Sequence, residues 1–186
     1  MAYLLLYIAL TWLVLLPARF RAMAKGYRKA SLALKALPTA LAAAFAAAGY
    51  FSAEVREPYG LMILICLCVC TLADVALDVR FEVGGALFFT GHVVYVAALS
   101  QYRVLSWWCL TVFVVALAGL WCFALRYRRH FPKPHLLAGV MIYVVALAAL
   151  LAFSLPLPLL APSARSTLAA LGAVTFVVSD MTLCHN

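Results

Sequence analysis

Charge is what this sequence lacks. Only 11% of its 186 residues are Asp, Glu, Lys or Arg, and its mean hydropathy is +1.09. A soluble domain keeps roughly a quarter of its residues charged, so one water-soluble core is excluded and lipid is the solvent the chain needs. Acid is scarcer still, with 6 Asp and Glu against 14 Lys and Arg, a net charge of +8. That surplus gathers in short blocks between apolar spans, which encodes membrane topology and speaks against nucleic acid as a partner. Histidine numbers only 4, too few inside the spans for the three ligands of a catalytic zinc. No Gly-rich phosphate loop, long linker or internal repeat stands out, so the inverted halves of a transporter are not signalled. Six cysteines are present, but Cys66, Cys68, Cys70, Cys109 and Cys122 lie inside apolar spans and Cys184 at the end of another. Buried free thiols behave as small hydrophobes, and the period-two spacing of Cys66, Cys68 and Cys70 fans them around a helix axis.

What remains is a series of apolar runs nearly free of charge, each long enough for the 17–25 residues, roughly, that a spanning helix needs. They predict an all-α, polytopic transmembrane helix bundle of about seven helices in a single domain, residues 1–186. The expected helices cover 1–18, 36–53, 59–78, 83–102, 104–125, 136–155 and 167–183. The first has no basic residue ahead of it, which argues for a retained helix and against a cleaved signal peptide. Basic residues then set the orientation. Arg19, Arg21, Lys25, Arg28, Lys29, Lys35, Arg80, Arg126, Arg128, Arg129 and Lys133 fall on one side, and only Arg56, Arg103 and Arg165 on the other. By the positive-inside rule the N-terminus is outside and the first, third and fifth loops are cytoplasmic. A bacterial inner membrane is the expected setting, a eukaryotic internal membrane the alternative.

Ionisable groups within a bilayer cost about 2.5–3.5 kcal/mol each at a helix centre, so they default to functional hypotheses. Here they are Asp74, Asp78, His92 and Asp180. On the expected topology Asp74, Asp78 and Asp180 lie near the cytoplasmic ends of their helices, and His92 is roughly 13 Å in from that side. Lys35 stands at the cytoplasmic start of its helix, beside Pro38. The plain readings are an interfacial charge for Asp78, a snorkelling side chain for Lys35 and an interhelical hydrogen bond for His92. Tyr95 and Tyr143 line a pocket or merely pack, while His130 and His135 belong to a solvated loop. Asp74 and Asp180 resist such readings, because each is embedded in apolar neighbours.

The same residues carry a resemblance. Lys35-Ala36-Leu37-Pro38 resembles the Lys-Pro start of a helix in the YhhN-like lysoplasmalogenases. The stretch Leu72-Ala73-Asp74-Val75-Ala76-Leu77, then Phe81 to Gly85, Phe88-Phe89 and His92 to Tyr95, is similar to their central signature. Gly172 to Ser179-Asp180 is similar to their Ser-Asp helix. Two departures stand out: Ala73 where the family usually has Gly, and an end three residues after the seventh expected helix where the family usually continues into an eighth. Either the chain is naturally short or it is a fragment.

The resemblance implies hydrolysis of the vinyl ether bond of lysoplasmalogens to a fatty aldehyde and a glycerophospho-head group, with no cofactor and no metal. Such a bond is cleaved by protonating its β-carbon, and water captures the oxocarbenium ion. That needs one carboxyl kept protonated near neutral pH and a second to steady the cation or activate water, a division of labour two carboxyls in a low-dielectric site achieve. Asp74 and Asp180 are the expected acid and base, in either order, with His92 orienting one of them. Lys35 is expected to bind the substrate phosphate, and Tyr95, Ser179 and Tyr143 to line the substrate near the cytoplasmic face. The alternatives are a seven-helix zinc-dependent lipid hydrolase, a proton-coupled transporter using the buried Asp residues, and a scaffold membrane protein.

Overall fold

A computed structural model describes residues 7–102, 106–130 and 133–185, with only the backbone described for residues 130 and 183–185. The expected helix starts at Met1 and Val104, together with Arg103, Pro132 and the side chains of His130 and Cys184, lie outside the described residues. Among those residues all regular structure is helical. Seven long helices run in chain order: α1 (Tyr7–Ala24), α2 (Arg28–Ser52), α3 (Pro58–Val79), α4 (Phe81–Ser100), α5 (Trp107–Arg126), α6 (Pro134–Ser154) and α7 (Ala164–His185). Six of them, α1 to α6, are long and apolar enough to cross a membrane. The protein is therefore a multi-pass membrane protein, as its composition requires.

The helices exceed the apolar runs at their charged ends. Helix α2 begins at Arg28, eight residues before the expected start at residue 36, and α1 continues through Arg19 and Arg21 to Ala24. Lys and Arg are good helix formers, so the helices outlast the segments that lipid selects. Pro38 accordingly lies inside α2 and not at its start. Its carbonyl accepts a hydrogen bond from the Tyr7 hydroxyl at 3.1 Å. Between α1 and α2 the chain turns in three residues through Gly26, whose φ of 72° only glycine adopts without strain. Gly26 N–H donates to the Met23 carbonyl and Tyr27 N–H to the Ala22 carbonyl, the double bond of a Schellman stop.

The chain divides into two compact units, Met1–Gly91 and His92–Asn186. In the first, α2 packs against α1 and α3. Its buried positions are the small Ala36 and Ala43, and small residues let helix backbones approach in a setting with no hydrophobic drive between helices. Helices α3 and α4 are joined by Arg80 alone, and their approach requires Gly84: a Cβ there would lie 2.4 Å from the Leu77 Cα. Within α1, residues Leu10–Leu15 form a π-turn that leaves the Thr11 hydroxyl buried without a partner.

In the second unit α6 packs against α5 and α7. Leu120 and Ala124 of α5, Val144, Leu147 and Ala148 of α6, and Val177 of α7 form its buried core. The three-and-four spacing along α6 marks one helical face. Pro156 ends α6, a single turn (Leu157–Leu160) follows, and α7 starts from a reciprocal cap. Ser163 Oγ accepts from Ser166 N–H at 3.0 Å while Ser163 N–H donates to Ser166 Oγ at 3.0 Å.

Candidate functional site

The first unit builds a polar cluster from two helix faces. Lys35 and Thr39 are four apart on α2, and Asp74 and Asp78 are four apart on α3, so each pair occupies adjacent turns of one face. The helices pair in opposite directions, one turn forward on α2 meeting one turn back on α3. Thr39 Oγ1 donates to Asp74 Oδ2 at 2.6 Å, and Lys35 Nζ donates to Asp78 Oδ1 at 2.7 Å. Asp74 and Lys35 are half-buried and Asp78 is exposed. The side chain of Lys35 is 11% exposed against 42% for Asp78, so the pair reaches outward from the helix contact. Arg28 Nη2 adds a long 3.4 Å contact to the Asp78 carbonyl.

One further cation acts on this cluster besides Lys35. The ammonium of Lys35 and the guanidinium of Arg19, from α1, both lie within electrostatic reach of the Asp74 carboxyl. The Arg19 Nε is buried and has no hydrogen-bond acceptor. A buried N–H left in that state costs about 1–3 kcal/mol, so its position calls for a reason.

The second unit holds a different arrangement. Tyr143, four residues before Leu147 on the core-facing side of α6, donates its hydroxyl to Asp180 Oδ2 at 2.5 Å. Asp180 follows Val177 by three residues, and so shares the face of α7 that meets the core. His92, at 4% exposure, is buried. Its ring lies edge-on to Tyr143 at a centroid distance of 5.7 Å and to Phe176 at 4.5 Å. Tyr95, one turn along α4 from His92, is half-buried, and Ser179 is exposed. Among the described residues no three His, Cys, Asp or Glu side chains gather as a metal site.

Of the residues singled out in the sequence, the structure therefore brings Lys35 to Asp78 in the first unit, and His92, Tyr143 and Asp180 together in the second. Thr39, the partner of Asp74, was not singled out, nor was Arg19. The signal for Thr39 is the four-residue step from Lys35, which repeats the step from Asp74 to Asp78. Asp78, read as an interfacial charge, holds the ammonium of Lys35. Chemically, each unit presents a half-buried carboxyl tied to a hydroxyl, able to exchange a proton or to face a developing cation.

The model of the YhhN family covers residues 30–186 of the chain. No curated protein and no solved structure matches it.

Proposed function

The chain belongs to the YhhN family, and from that premise we propose that it is a lysoplasmalogenase, hydrolysing the vinyl ether bond of a lysolipid. The observation that carries this reading is Asp74: a carboxyl within a membrane helix, accepting from Thr39 and one turn from the Lys35–Asp78 ion pair. An ionisable group within a membrane helix is costly, and its presence points to a functional role.

The reaction proceeds in three steps. A carboxylic acid gives its proton to the β-carbon of the vinyl ether, and the ether oxygen's lone pair forms the oxocarbenium ion. Water adds to the α-carbon and yields its proton to a carboxylate, leaving a hemiacetal. The hemiacetal C–O bond to glycerol then breaks, the hydroxyl proton passing to the departing oxygen, to give a fatty aldehyde and the glycerophospho-alcohol. We assign the carboxyl roles to Asp74 and Asp180. Thr39 orients the first and Tyr143 the second, and the His92 ring supports Tyr143. Lys35 keeps two ammonium N–H groups beyond the one given to Asp78, which suits it to a substrate phosphate.

An isotope experiment tests the mechanism. Turnover in deuterated, oxygen-18 water is expected to place one deuterium on the carbon next to the aldehyde and no label in the glycerophospho-alcohol oxygen. Oxygen-18 in the alcohol would mean cleavage on the glycerol side and would refute the protonation route.

A further inference from the structure

Arg19 is a cation of the first unit that the proposed reaction leaves unused. It lies on α1, ahead of the residues 30–186 that the family model covers, so family membership says nothing of it. Its Nε–H is buried without an acceptor, while the side chain as a whole is only half-buried. It lies within electrostatic reach of Asp74. Yet the nearby carboxylates have other donors, Asp74 in Thr39 and Asp78 in Lys35. Among the described residues Arg28 reaches the Asp78 backbone carbonyl, the ion pair of the cluster is Lys35–Asp78, and Arg19 Nε is left without an acceptor.

We propose that Arg19, together with Lys35, binds the phosphate of the lysolipid substrate, with Arg19 as its principal ligand. A guanidinium takes a phosphate through two parallel N–H groups of one edge, and Nε–H is half of such an edge. The Nε–H is buried as it stands, so binding requires the half-buried side chain to turn that edge toward the ligand. Lys35 contributes a point charge through the donors that Asp78 leaves over. The site sits beside Asp74, so a phosphate held there sets the distance from head group to reacting bond. This inference rests on the lysolipid reading of the chain; the chemistry it names, a phosphate oxyanion, is shared by a lipid head group and free phosphate.

The test uses ligands that cannot be turned over. Purified full-length protein in phosphate-free detergent is titrated with a saturated 1-O-alkyl lysophospholipid, with the matching 1-O-alkylglycerol, and with inorganic phosphate, read by intrinsic fluorescence. The lysophospholipid is expected to bind at least tenfold more tightly than the alkylglycerol. Arg19→Gln is expected to remove that difference and leave the alkylglycerol unaffected, while Arg19→Lys restores part of it. Equal lysophospholipid affinity in the wild type and Arg19→Gln overturns the proposal, and so does inorganic phosphate binding as tightly as the lipid. Unchanged alkylglycerol binding shows that the variant is folded. Aldehyde release is measured separately. Its absence from a protein that shows the expected binding pattern removes the reaction and keeps the phosphate site; its presence with an indifferent Arg19→Gln removes the site alone.

Discussion

Two adjacent glycines on α4 should respond to the same substitution with opposite signs. At Gly84 an added Cβ would stand 2.4 Å from Leu77 Cα, 2.5 Å from Leu77 N and 2.8 Å from Leu77 Cβ. Carbon atoms rest at about 3.5–4.0 Å, and the obstacle is backbone, which cannot rotate aside. The single connecting residue Arg80 gives the α3–α4 hairpin little slack. Overpacking costs about 1–3 kcal/mol, occasionally more, and Gly84→Ala belongs at the upper end. At Gly85 a Cβ meets nothing within 4 Å. Gly85→Ala therefore keeps only the gain in helix propensity, about 0.8–1.0 kcal/mol. The propensity gain is common to both, so the two variants should differ by the overpacking cost, about 3 kcal/mol, on the order of 10 °C in melting temperature for a chain of this size. Thermal loss of helical circular dichroism in detergent reads that difference directly. Shifts of the same sign, or a Gly84→Ala protein as stable as wild type, would refute the close approach of α3 and α4.

Other positions give sharper local tests. Gly26→Ala should destabilise by about 1–2 kcal/mol, the cost of a left-handed residue with a Cβ, although no atom lies within 4 Å of the new methyl; Gly26→Asn should cost less in the same thermal assay. Tyr143→Phe keeps the ring beside His92 but removes the donor to Asp180; it should lower kcat several-fold with KM nearly unchanged, measured with a lysoplasmenyl substrate. A double-mutant cycle on Lys35→Met and Asp78→Asn should return a coupling below about 1 kcal/mol, because the Asp78 side chain is 42% exposed and solvent screens the pair.

Much of this molecule was legible as a string. Seven apolar runs, nearly free of charge, anticipated the seven helices, because lipid demands a minimum apolar length and punishes charge within it. Their ends were not legible in the same way. Hydropathy marks where lipid stops, whereas α2 extends outward through Lys29 and Arg28, and Pro38 falls inside it. Asp74 and Asp180 stood out by their chemistry alone. Their partners did not: Thr39 is a common residue in an Ala-rich run, and it becomes visible only when the register of α2 on α3 is known. Tyr143 was singled out as a substrate-lining residue, but its pairing with Asp180, 37 residues away in sequence, was not visible there. Arg19 counted toward the orientation of the helices, and nothing in its neighbours revealed that its Nε would be buried.

The most direct test of the account is product analysis. Detergent-purified protein is given a lysoplasmenyl lipid and the corresponding ester lysolipid, beside Asp74→Asn and Asp180→Asn variants shown to be helical and monodisperse. Removing a general acid or base lowers turnover by about 10²–10⁴-fold. The account predicts fatty aldehyde from the vinyl ether lipid only, lost to that extent in both variants. No aldehyde from the wild type, or undiminished aldehyde from either variant, would contradict it.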